Sequence, residues 1–108
     1  MTKYNQNIVG SNKILHAAID AYGKQAQTAM FFEETAELTK ELCKNARGKQ
    51  NRDEIAEEVA DVEIMLEQIK IMYDVSESQL NLIKAEKIKR LGERIGIVYP
   101  GVEVIYEF

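Results

Sequence analysis

Two short acidic patterns, Glu33-Glu34-x-x-Glu37 and Glu58-x-x-Asp61, stand in this chain with a polar connector between them. A helix sets residues three or four apart on one face, so Glu34 shares a face with Glu37, and Glu58 with Asp61. Where two such helices pack, four carboxylates converge. At the low effective dielectric of a helix interface the cluster repels itself, and it persists only by taking up protons or binding cations. All-oxygen donors suit the hard ions magnesium and manganese, and those ions usually serve phosphate substrates. The four paired positions, Glu34, Glu37, Glu58 and Asp61, read together as a metal site. Taken singly, Glu33, Glu41, Glu57 and Glu63 read as solvated helix surface.

The elements that must position these carboxylates follow from periodicity. Apolar residues at Ile14, Leu15, Ala18 and Ile19 predict a helix over about 12–22, with Gly23 as its stop. A longer helix is predicted over 24–46, its apolar surface supplied by Ala26, Ala29, Met30, Ala36, Leu38, Leu42 and Cys43, and Arg47-Gly48-Lys49-Gln50 ends it. Asn51 is placed to cap a third helix, with Asp53 and Glu54 in its first turn. In that helix Ile55, Val59, Val62, Leu66, Ile69 and Tyr73 follow a four-three spacing, a coiled-coil type of seam meant for neighbouring helices. Glu58 and Asp61 each precede a seam residue by one position, about 100° round the helix, and so flank the seam. A fourth helix is predicted over 76–95, where Ser76-x-x-Gln79 fits a capping box. Its Leu80, Ile83, Ile88, Leu91 and Ile95 can pack, and Lys84, Lys87, Lys89, Arg90 and Arg94 make one side basic.

Residues 96–108 read differently. Ile97-Val98-Tyr99, the Pro100-Gly101 turn and Val102 to Tyr106 predict a short hairpin or extended arm, apolar enough to pack on the body or on another subunit. The expectation is an all-α, four-helix bundle-like domain spanning 1–108, with a helical body over about 12–95. A chain of 108 residues, 45% hydrophobic and 30% charged, supports one core and not two. The net charge of -4 argues against a phosphate-backbone footprint, so no nucleic-acid partner is expected. No apolar stretch approaches the roughly 20 residues of a membrane span, residues 1–12 lack a signal-peptide core, and a cytoplasmic location is the default expectation. Cys43, the one cysteine, reads as a small buried filler, and His16, the one histidine, as a surface or interface residue. Met30, Met65 and Met72 with Phe31 and Phe32 read most simply as core.

Glu33-Glu34-Thr35-Ala36-Glu37-Leu38 and Glu57-Glu58-Val59-Ala60-Asp61-Val62, with twenty residues between Glu37 and Glu58, resemble the MazG-like, all-α nucleoside triphosphate pyrophosphohydrolase superfamily. Gln27, six residues before Glu33, and the basic run from Lys84 to Arg94 extend the resemblance over roughly 15–95. It implies cleavage of a nucleoside or deoxynucleoside triphosphate between its α and β phosphates, giving the monophosphate and pyrophosphate, in the service of nucleotide-pool cleansing. By position it makes Glu34, Glu37, Glu58 and Asp61 ligands of magnesium, or of manganese, and lets Glu33 or a ligand carboxylate such as Glu37 accept a proton from water. Lys84, Lys87 and Arg90 would supply cations to phosphate oxygens, and Gln27 would touch base or phosphate. Members form dimers or tetramers, which the long seam and apolar tail would suit.

The superfamily also holds dUTPase-type and dCTP-cleaving enzymes, and base choice depends on a pocket that one sequence does not fix. Phosphoribosyl-ATP pyrophosphohydrolases usually carry a Tyr-His pair shortly after the aspartate; here Val62-Glu63-Ile64-Met65 follows Asp61, which disfavours that branch. A di-iron carboxylate bundle needs Glu-x-x-His pairs, and the chain has none. The rival from another class is a non-catalytic helical interaction protein, of phage or mobile-element type, that keeps the fold without turnover.

Overall fold

A computed structural model of the chain describes residues 10–98, and over that range its regular structure is helical throughout. Four helices follow in order: α1 (Ser11–Tyr22), α2 (Lys24–Ala46), α3 (Arg52–Met72) and α4 (Glu77–Arg94). They match the four predicted spans to within a residue or two at each end. The hairpin or arm expected over 96–108 lies outside the described residues, except for Gly96 to Val98.

The chain divides into two compact units, one ending at Asp74 and one beginning at Val75. In the first, α2 and α3 pack along their length and α1 rests against both. Gln27, early in α2, meets Gln68, late in α3, while Glu41, late in α2, meets Asn51 just before α3. The pair is therefore antiparallel. Its reversal over 47–51 depends on Gly48, whose φ of 104° is a conformation that side chains with a Cβ rarely adopt. With Gly48 in that state its N–H reaches the Asn45 carbonyl at 2.9 Å and the Lys49 N–H reaches the Lys44 carbonyl at 3.1 Å, which satisfies the last carbonyls of α2.

Asn51 departs from its expected role. It holds the N-cap position of α3, but its side chain makes no capping bond. Instead, Nδ2 donates to the Glu41 carbonyl at 2.9 Å and to Glu41 Oε1 at 2.8 Å, while Oδ1 accepts from Asn45 Nδ2 at 3.2 Å. Only 1% of Asn51 is exposed, so the amide ties the end of α2 to the start of α3 where water cannot substitute. Glu41, read from sequence as solvated surface, is buried for the same reason, with Lys44 Nζ 3.2 Å from its Oε2. Replacing Asn51 with Ala strands those acceptors, and a loss of about 2 kcal/mol is expected. It should register in a urea titration as a lower midpoint with unchanged slope.

The core is thin. Met65 is the one hydrophobic side chain among the described residues that is buried, and the Gln27–Gln68 pair is hydrogen-bonded at 2.7 Å. The α3 seam is only half used: Ile55, Val62 and Ile69 are half-buried, whereas Val59, Leu66 and Tyr73 are exposed. Met30, Phe32 and Cys43, all expected inside, are also exposed. His16 is exposed, as its isolation in the sequence suggested.

The second unit is built on α4. The Ser76 hydroxyl accepts from the Gln79 N–H at 3.1 Å, the backbone half of the expected capping box. At the other end Gly96, with φ of 79°, directs its N–H to Glu93 and that of Ile97 to Gly92, closing the helix as Gly48 closes α2.

Candidate metal centre

Antiparallel packing brings the two acidic patterns face to face. On α2, Glu34 lies seven residues from both Gln27 and Glu41, which flank the α2–α3 interface, and it shares their face. On α3, Glu58 and Asp61 stand seven and four residues before Met65, two turns and one, on the same side as that buried residue. One carboxylate oxygen from each of Glu34, Glu58 and Asp61 falls within 4.8 Å of the other two. Glu34 and Glu58 are half-buried and Asp61 is exposed, so the cluster opens to solvent on the Asp61 side.

Glu37, the fourth expected ligand, stands outside that group. Its side chain is about half exposed, and Lys40 Nζ lies 3.7 Å from its Oε1. Glu33 is exposed. Gln27, assigned a substrate contact by the resemblance, is buried against Gln68, and its Nε2 donates there. Lys84, Lys87 and Arg90 share one face of α4 and are exposed, within the second unit.

The charges explain what the cluster needs. Partial burial, first, and then the negative charges of Asp61, Glu58, Glu33 and Glu37 push the Glu34 carboxyl above its ordinary pKa. Glu58 is pushed up in the same way, by burial and then by Asp61, Glu37, Glu41 and Glu57. Glu41, one helical turn beyond Glu37, goes the other way: the Asn51 amide and then Lys44 stabilise its charge and lower its pKa. Two neighbouring carboxyls are thus shifted toward their protonated forms and a third toward its anion.

Glu58 Oε1 is the sharpest sign of a missing partner. It is buried and has no hydrogen-bond donor, a costly state for a charged oxygen. A divalent cation bound between Glu34, Glu58 and Asp61 would satisfy that atom and cancel the repulsion that raises both glutamates. The donor set is all carboxylate oxygen, which suits hard ions such as magnesium and manganese, and Asp61 is exposed.

Sequence spacing located these three residues but missed the buried Asn51–Glu41 brace beside them. The only signal for it was a polar Asn at a helix junction, and such an Asn is ordinarily a cap. No protein-family model, curated protein or solved structure matches the chain, so the reading of the centre rests on its own geometry.

Proposed function

We propose that this chain is a magnesium-dependent pyrophosphohydrolase of nucleoside or deoxynucleoside triphosphates, a four-helix MazG-type domain that acts in nucleotide-pool cleansing as a homodimer or homotetramer. The observation that carries the reading is the convergence of Glu34, Glu58 and Asp61 from two helices, with Glu58 Oε1 buried and unpartnered. Glu34, Glu58 and Asp61 would hold the ion, with Glu37 at the rim. Bound magnesium would neutralise triphosphate charge and lower the pKa of a water molecule.

The chain's own groups do the rest. With an ion held between them, the carboxylates would set the α-phosphate facing that water, and Glu33 or Glu37 would take the water's proton as its oxygen bonds to the α-phosphorus. The bond from that phosphorus to the bridging oxygen breaks, so the base and sugar leave as the monophosphate and the other two phosphates as pyrophosphate. Lys84, Lys87 and Arg90, exposed on one face of α4, are the cations that the MazG-like resemblance assigns to phosphate oxygens. Gln27 is assigned a supporting role, since its buried amide is bonded to Gln68.

The test is pyrophosphate release from a panel of NTPs and dNTPs, including dUTP, dCTP and an oxidised or deaminated purine, with magnesium and with chelator. Pyrophosphate and monophosphate in equal amounts, abolished by chelator, are expected, and the ranking of substrates names the base. Silence across the panel from a helical, folded protein would overturn the reading in favour of a non-catalytic interaction protein.

A further inference from the structure

The interior of the α2–α3 pair is polar at both ends. Among the described residues of the first unit the buried side chains are Gln27, Glu41, Asn51, Met65 and Gln68, and only Met65 is apolar. Gln27 and Gln68 close one end of the pair through a 2.7 Å bond. Glu41 and Asn51 close the other, where the Asn51 amide donates to both the carbonyl and the carboxylate of Glu41. Glu34 lies midway between the two closures, seven residues after Gln27 and seven before Glu41. On the facing strand of chain Glu58 stands seven residues after Asn51, and Asp61 seven before Gln68. Seven residues are two turns, so each of the three carboxylates shares a helix face with a closing residue roughly 10 Å away along the axis.

Two buried hydrogen-bonded layers are a costly way to join helices. Amides withdrawn from water regain only what their mutual bond returns, and an apolar pair of equal size would hold as well. What the amides add is register. The α3 seam repeats Ile, Val and Leu, which look alike to a partner one turn further on. A slip of one turn, about 5.4 Å, would keep apolar contact and carry Glu58 and Asp61 away from Glu34. It would also leave Gln68 and Asn51 buried without partners, and that penalty forbids it. Repulsion among three carboxylates works to part the helices at the middle layer. The closures on either side of that layer oppose it.

We propose that the Gln27–Gln68 and Glu41–Asn51 pairs are positioning residues, which fix the register of α3 on α2 and so hold Glu34, Glu58 and Asp61 together before any cation arrives. The inference rests on the metal centre of the preceding reading, and concerns why its carboxylates stand together rather than what they catalyse. Donors held in advance bind a cation without first ordering two helices. Loss of such supporting groups ordinarily weakens metal affinity by about 10- to 100-fold.

Gln27→Met combined with Gln68→Met removes one closure while keeping side-chain length and helix propensity. Because both partners become apolar, its urea midpoint should equal or exceed the native value. Calorimetric titration with Mn2+, with no nucleotide present, should nonetheless give a dissociation constant about 10- to 100-fold weaker than that of the native chain. A closure that only stabilises the fold predicts the opposite, a lower midpoint with native affinity, and that result would overturn the proposal. A native chain that binds no Mn2+ would instead remove the metal centre, and a second measurement then judges the closures without the variant or the metal. In a Cys43→Ser background, nitroxide labels on Ala36→Cys and Ala60→Cys, both exposed beside the carboxylate layer, report the α2–α3 separation by pulsed electron resonance. One narrow distance in chelator, unchanged by Mg2+, is expected. A broad distribution in chelator would overturn the proposal, and its narrowing on addition of Mg2+ would mean that the ion, and not the amides, assembles the layer.

Discussion

Glu58→Gln is expected to lower magnesium-dependent pyrophosphate release by about 100-fold or more, the scale on which removal of one preorganised charged contact slows a polar reaction. The substitution keeps the size of the side chain and the helix propensity of the position, so circular dichroism should be unchanged. What it removes is the negative charge beside the buried, donor-less oxygen, one of the charges that raise Glu34. Asp61→Asn should match it, because an oxygen of each of these two residues and of Glu34 lies within 4.8 Å of the others. Glu63→Gln, at an exposed position two residues beyond Asp61, should leave the rate alone. Glu37→Gln should fall between, since Glu37 lies at the rim beside Lys40. Full activity in Glu58→Gln would dismiss the metal centre, whereas a loss in Glu63→Gln as large as in Glu58→Gln would point to general electrostatics in place of ligation.

That ordering also marks where the sequence was legible. Periodicity placed all four helices, because no proline falls before residue 100 and because glycine ends α1, α2 and α4 where the apolar repeat stops. Carboxylate spacing selected Glu34, Glu37, Glu58 and Asp61; Glu34, Glu58 and Asp61 come within 4.8 Å of one another and Glu37 stands outside, because spacing fixes a helix face but not how far along it the partner helix reaches. The failures have a common cause. Phe32 and Cys43 are eleven residues apart, close to three whole turns, and so share an azimuth; it lies away from the Gln27, Glu34 and Glu41 face that α3 covers. Apolar residues occur on several sides of α2, and composition alone could not say which side met α3. Glu41 was misread because its partner lies across a chain reversal. Its i+3 spacing to Lys44 looked like an ordinary surface pair, and nothing local reports that Asn51 folds back onto it. The place of Gln27 before Glu33 is local, but its bond spans forty-one residues to Gln68 and is invisible to spacing.

The metal-free protein should become more stable as pH falls toward the ordinary carboxyl range from above, the reverse of ordinary acid denaturation, before losing stability at lower pH. The sign follows from which state holds protons more tightly. Glu34 and Glu58 have raised pKa values in the folded chain, so folding favours their protonated forms. Their contribution is fully present below the unfolded value and is lost as pH rises through the raised folded values. Glu41 is lowered, so its contribution is present above the unfolded value and is lost as pH falls through the lowered one. The two windows lie on opposite sides of the ordinary carboxyl range, and a thermal midpoint measured in chelator should pass through a maximum between them. Glu58→Gln should flatten the rise on the neutral side without moving the acid limb, and Asn51→Ala should move the acid limb. Magnesium inverts the neutral side. An ion needs ionised ligands, so its stabilisation is greatest near neutrality and fades as protons compete for the same oxygens. At a concentration a hundred times its dissociation constant it would add about 2.7 kcal/mol. A midpoint that is flat across the neutral window and indifferent to magnesium would mean that Glu34, Glu58 and Asp61 do not share a space in solution, and the catalytic reading would fall with the centre.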